Sequence, residues 1–287
     1  PDSSLFHTSS YLNYLNGKDQ KARIPLSYLD LGENRTEQPV QTASLLEEKL
    51  KNGLFVRTCE IRSPQEGDFS HVQKEALKVK DHFDAINATA FLNGRPSLPS
   101  PSTAAELVEM GIEAISQATC RDHTKTSFIS ELIQNRMHGV YNILCLTGDS
   151  YVGDPKIKQV FDLDASLMLY EARCLREHGR IHFTGARMKN PPRSFLGAAI
   201  NPFTTPGHIP IRRLKQKAAA GADFIQTQMI FDLDHFQEFM ADYCGQNLHR
   251  DLFLLAGIPV VISQKALNML PHIPGVKLPP AVAERFA

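Results

Sequence analysis

The residues best placed to do chemistry are polar side chains that interrupt or end short apolar runs. Glu60 lies near the end of Arg57-Thr58-Cys59-Glu60-Ile61, where an apolar setting can raise a carboxyl toward the range of a general acid. Taken alone, a solvated or salt-bridged glutamate is the simpler reading. Thr89, Gln117 and Thr119 end two further runs, the last two beside Arg121 and Asp122. Hydroxyl and amide groups there suit a ring or a ribose, and strand-end capping accounts equally well for any one of them. Asn142–Leu146 breaks into Thr147-Gly148-Asp149, a glycine that permits close approach followed by a carboxylate. Phe161-Asp162-Leu163-Asp164 places two carboxylates where a helical pattern starts, so helix stabilisation competes with ligand binding. Asn201 follows Gly197–Ile200, whose small residues suggest a ligand or a neighbouring backbone passing close by. In Phe224–Gln228, period-two alternation puts Gln226 and Gln228 on one face and Thr227 on the other. An amide inside an apolar strand needs a partner, which is either another side chain or a bound heterocycle. The histidines are scattered and no His, Cys or acidic cluster has ligand spacing, so no metal is expected.

The elements that must position these residues alternate in type. From Leu54 onward, β-branched and apolar runs at Phe55–Ile61, Phe83–Thr89, Glu113–Cys120, Tyr141–Leu146, Phe195–Asn201, Phe224–Phe231 and Leu252–Pro259 read as strands. Segments between them, such as Ser102–Met110 and Ile211–Ala220, carry apolar residues at helical spacing and read as crossover helices. This predicts an α/β fold, a (β/α)₈ TIM barrel whose eighth unit is not visible, with its chemistry at the C-terminal ends of the strands. Either the chain stops short of that unit, or the N-terminal extension or a partner closes the barrel. An open doubly wound sheet is the main alternative, but the chain has no Gly-x-Gly-x-x-Gly after its first strand. Residues 1–45 are polar and weakly periodic and read as an extension of uncertain structure, leaving 46–287 as the barrel domain.

Composition narrows the function classes. Lys and Arg number 31 and are balanced by 31 Asp and Glu, so no net basic field draws the 287-residue chain to nucleic acid or an anionic membrane. Five cysteines without a Cys-x-x-Cys pair read as reduced thiols, not a disulfide scaffold. No apolar run reaches the length of about 18 residues that a membrane span needs, and no basic-then-apolar leader opens the chain, so a cytoplasmic location is expected.

The segments Leu146–Asp149, Val160–Asp164, Leu196–Phe203 and Gly221–Asp232, in this order and spacing, resemble the methylenetetrahydrofolate reductase family, over about Leu54 to Pro280. The resemblance implies a barrel that holds FAD. It also implies NADH or NADPH as co-substrate and ping-pong reduction of 5,10-methylenetetrahydrofolate to 5-methyltetrahydrofolate. By position it implies Glu60 as the general acid that helps open the folate's five-membered ring, Asp149 as the carboxylate near pterin and flavin, and Gln228 as the amide that binds the folate. Thr89, Gln117, Thr119, Thr147, Gly148, Asp149, Phe161, Asp162, Asn201 and Lys217 fall at cofactor-contacting positions. Lys217, late in Arg212-Arg213-Leu214-Lys215-Gln216-Lys217, reads equally as part of a solvated helix face. Three departures stand out. Gln117 replaces a His that many members carry. Leu270 takes the place of an aromatic that stacks on substrate. The stretch Phe91–Pro101 differs from the family's usual second loop. A barrel subunit of a larger electron-transfer complex and a flavin-free folate enzyme are the competing expectations. Whether the chain forms homo-oligomers or joins a partner subunit is left open.

Overall fold

The computed structural model describes residues 42–91, 95–149, 158–261, 263–273, 275–276, 278–279, 282 and 284. The extension expected over residues 1–45 lies almost wholly outside them. Two compact units divide at Phe195/Leu196.

In the first unit, strands β1 (Thr58–Ile61), β2 (Ala85–Ala88), β3 (Ala114–Thr119) and β4 (Asn142–Leu146) pair in chain order, all parallel. All of β2 and β3 is buried, and both are mostly apolar or small residues interrupted by Asn87 and Gln117. Helix α1 (Leu45–Lys51) starts at Ser44, whose side chain accepts the Glu47 amide. It is tied to the N-terminal ends of the strands: Ser44 donates to Asn142 at the start of β4, and Lys49 pairs with Asp84 just before β2. The crossover helices are α2 (Ser70–Val79), α3 (Ser100–Glu109), α4 (Lys125–Met137) and α5 (Ala165–His178). Thr124 and Ser127 form a reciprocal cap on α4, and α5 ends on Gly179 at φ 61°.

In the second unit, β5 (Phe195–Ile200), β6 (Phe224–Met229) and β7 (Phe253–Gly257) are likewise parallel and in chain order. Helices α6 (His208–Ala220), α7 (Leu233–Gly245) and α8 (Gln264–Met269) follow them in turn. A Cβ on Gly197 would lie 2.2 Å from the Phe224 ring. The small residue in β5 therefore makes room for a neighbouring side chain of the same core, not for a ligand.

All seven expected strands form, each trimmed at one or both ends. The fold class is α/β of the TIM-barrel type, with seven parallel strands, each followed by a helix, among the described residues.

Candidate active site

In the first unit the polar residues named from the sequence converge where β1–β4 end. Gln117, at a position in β3 that is 8% exposed, is held at both ends. Its backbone N–H donates to Ser100 Oγ at 2.8 Å. Its Oε1 accepts the Ala90 N–H at 3.2 Å, and its Nε2 donates to Glu60 Oε2 at 3.0 Å. Glu60 is the solvent-exposed residue of β1, with protein packed close to its carboxyl group. Burial pushes its carboxyl above the usual range, against the downward pull of the Gln117 amide and the Arg62 charge. Its exposure to solvent tempers this effect.

Arg121, 3% exposed, is the organising residue that sequence reasoning passed over. Its guanidinium pairs bidentately with Asp122. It also donates to Phe91 O after β2 and to Asp149 O after β4. One buried cation therefore ties together the loops that follow three neighbouring strands. The only sequence signal was a charged pair directly after a fully buried strand. Asp122 additionally accepts from Thr119 Oγ1.

Gly148 sits at φ +81°, and a Cβ there would lie 3.0 Å from Arg121 Cβ and 3.3 Å from Thr119 Cβ. Its freedom of φ and lack of a side chain let the β4 loop turn against β3. Gly148→Ala is expected to lose about 1–3 kcal/mol of stability through backbone strain and this clash. Thermal unfolding measures the loss, and an unchanged midpoint would show that the loop repacks freely.

The remaining residues named from the sequence in this unit are mostly engaged. Thr89, fully buried, accepts the Ser63 N–H through its hydroxyl. Phe161 adopts φ 45°, unusual for a residue other than glycine, with its N–H on Cys120 O and its ring buried. Asp164 caps α5, as the helical pattern suggested, but Asp162 accepts the Lys125 N–H and so stabilises the start of α4. Asp149 presents its carboxylate to solvent while Arg121 holds its carbonyl.

The second unit has its own polar group. Between Gln226 and Met229, β6 gains one residue over β7, a bulge that ends the expected alternation. Within it, Thr227 Oγ1 accepts the Gly257 N–H, and Gln228 Oε1 accepts the Met229 N–H. Asn201 Nδ2 donates to Gly275 O at 3.1 Å. A Cβ on Gly275 would meet Asn201 Nδ2 at 2.7 Å and Gln228 Nε2 at 3.7 Å, so this glycine lets the two amides share one place. Lys217 reaches Ala199 O at 2.6 Å, which ties it to β5 instead of a solvated helix face. Leu270 is buried with Leu267 and Val276 in a small core and offers little surface for a ligand to stack on.

Comparison with known proteins decides the family. The model of the family described as methylenetetrahydrofolate reductase matches residues 46–287. The chain belongs to the methylenetetrahydrofolate reductase family. A Caenorhabditis elegans relative, "Probable methylenetetrahydrofolate reductase (NADPH)", is 23% identical over 185 residues, 63% of this chain and 25% of the relative. The chain thus spans about a quarter of the length of the curated relative it matches. Among solved structures, an uncharacterized Clostridium thermocellum protein, described as binding two copies of 5-methyl-5,6,7,8-tetrahydrofolic acid, shares the fold. Its TM-score is 0.59 at 15% identity, covering 85% of this chain and 79% of that one. Among the described residues, no group of three or more His, Cys, Asp or Glu side chains could hold a metal ion, and no helix is long and apolar enough to cross a membrane.

Proposed function

We propose that this chain reduces 5,10-methylenetetrahydrofolate to 5-methyltetrahydrofolate, using NADH or NADPH as reductant and FAD as cofactor. Family membership supports the reaction. The NADPH named for the worm relative and the methyltetrahydrofolate named for the clostridial neighbour support the two ligand classes. The observation that carries the reading is Glu60, a carboxyl raised by burial and held by Gln117 in β3, at the position that resembles the family's general acid.

The ends of β3 and β4 suit a polar heterocycle. The second Nε2 hydrogen of Gln117, the exposed Thr147 hydroxyl and the backbone around Gly148 form a donor set that fits the carbonyl and ring-nitrogen acceptors of a flavin. Thr89, Thr119, Asp162, Asn201 and Lys217 already bond within their own units, so they shape the strand ends more than they grip a cofactor. FAD, when bound, supplies a two-electron carrier between nicotinamide and folate. The chain's own residues handle proton and charge. Glu60 gives its proton to the nitrogen that leaves as the folate ring opens. The negative charge of Asp149 favours the cationic iminium that this produces.

Purified protein is expected to absorb in the blue, to release FAD on denaturation and to oxidise NADH or NADPH when methylenetetrahydrofolate is added. A colourless preparation that is fully active and indifferent to added FAD would overturn the cofactor assignment and favour direct hydride transfer from nicotinamide. Failure to reduce the folate, with FAD bound and NAD(P)H oxidised by a quinone acceptor, would favour an electron-transfer subunit.

A further inference from the structure

The amide of Gln117 has a fixed sense. Its Oε1 takes the Ala90 N–H, so the group facing Glu60 must be the NH₂, which donates and cannot accept. The residue is nine-tenths buried, and its own backbone is anchored on Ser100, whose hydroxyl in turn donates to Ala88 O. Rotating the amide would set two carbonyl-type oxygens against each other at Glu60 and two N–H groups against each other at Ala90.

A donor-only partner dictates where a carboxylic acid keeps its proton. Glu60 Oε2 accepts from Gln117 whether Glu60 is ionised or neutral, and because the carbonyl oxygen of an acid is a stronger acceptor than its hydroxyl, the proton of the neutral form is favoured on Oε1. We infer that Gln117 is a positioning residue that fixes the acidic proton of Glu60 on Oε1, the oxygen left free for substrate. The inference rests on the proposed role of Glu60 as acid. In the transfer step, the Oε1–H proton passes to the leaving nitrogen of the folate ring, which takes the electron pair of the breaking C–N bond. The lone pair of the other nitrogen closes the C=N⁺ bond. Glu60 is left as a carboxylate with Oε2 still held by Gln117. Among the described residues, the charged and titratable groups acting on this carboxyl are Arg62 and Cys59, with no ionisable partner at Gln117 itself. Burial and the neighbouring Glu60 push the Cys59 thiol up to about 11, so it stays neutral while Arg62 offsets the new charge. A histidine at the position of Gln117 would lack this one-way property, because an imidazole nitrogen can donate or accept.

The test uses Gln117→Met, which keeps the length and removes both hydrogen-bonding groups, and Gln117→Asn, which keeps the amide but shortens it. Infrared difference spectra recorded across a pH titration, with Glu60→Gln to assign the band, read the carboxylic acid stretch of Glu60 directly, with or without turnover. In Gln117→Met this band is expected to shift and broaden as the proton spreads over two oxygens. Its midpoint should rise by about one pH unit, since a donor to the charged form is lost. The rate of folate reduction is expected to fall about tenfold, with little change in KM for the folate. Gln117→Asn should recover part of the loss. An unchanged band and midpoint in a folded Gln117→Met protein would overturn the inference. If Glu60→Gln leaves folate reduction intact, the proposed function fails instead, and the infrared band still reports where the proton sits.

Discussion

Glu60→Gln is expected to slow folate reduction by a factor of ~10²–10⁴, the usual worth of a positioned general acid, while NAD(P)H oxidation by a quinone acceptor continues at nearly the parent rate. Only the folate half of the reaction needs a proton delivered to a leaving nitrogen. The substitution keeps the shape of the side chain but removes its acidic proton. The pH dependence follows with a definite sign. Because the carboxyl is raised, its acid form persists to higher pH than an ordinary glutamate's, so kcat/KM for the folate should fall as pH rises through that raised value. Glu60→Gln should abolish that limb of the profile. Separate rate measurements of the two half-reactions decide the matter: equal losses in both would make Glu60 a structural residue whose carboxyl serves the end of β1.

Asp149→Asn is expected to slow the same half-reaction by a factor on the order of 10–10³ without unfolding the protein. The backbone of Asp149 is what Arg121 holds, through the carbonyl at 3.0 Å, and its carboxylate is exposed. Replacing the carboxylate by an amide therefore isolates charge from architecture. Loss of the anion weakens stabilisation of the iminium and should raise the midpoint potential of bound flavin, since a reduced, negatively charged ring becomes easier to form. A normal rate together with an unchanged potential would place Asp149 outside the site. Arg121 offers the contrasting case. Its removal would leave Asp122 poorly compensated and free three loops at once, so its loss would be felt in folding before chemistry.

The sequence by itself determined the class of fold and the strand ends at which polar residues gather. Alternation of buried apolar runs with amphipathic segments is a local property, and the Thr147-Gly148-Asp149 break is visible wherever an apolar strand stops. Tertiary structure decided what each polar group does there. Gln117 joins Glu60 across 57 positions of chain, and Arg121 reaches carbonyls 28 and 30 positions away. No spacing rule reports such contacts, because they depend on parallel pairing bringing successive strand ends side by side. The same holds for the misreadings. Gly197 spoke of close approach, but only packing shows that the neighbour is the Phe224 ring. The alternation through Gln226–Gln228 broke at a bulge that needs the opposing strand to exist. Asp162, three residues before α5 begins, stabilises α4 because the loop after β4 returns along the end of β3, where the Val160 and Phe161 amides bond to Arg121 and Cys120. A sequence records which groups can donate, accept or ionise. Their partners are set by strand register, and register is fixed by the burial of the whole sheet.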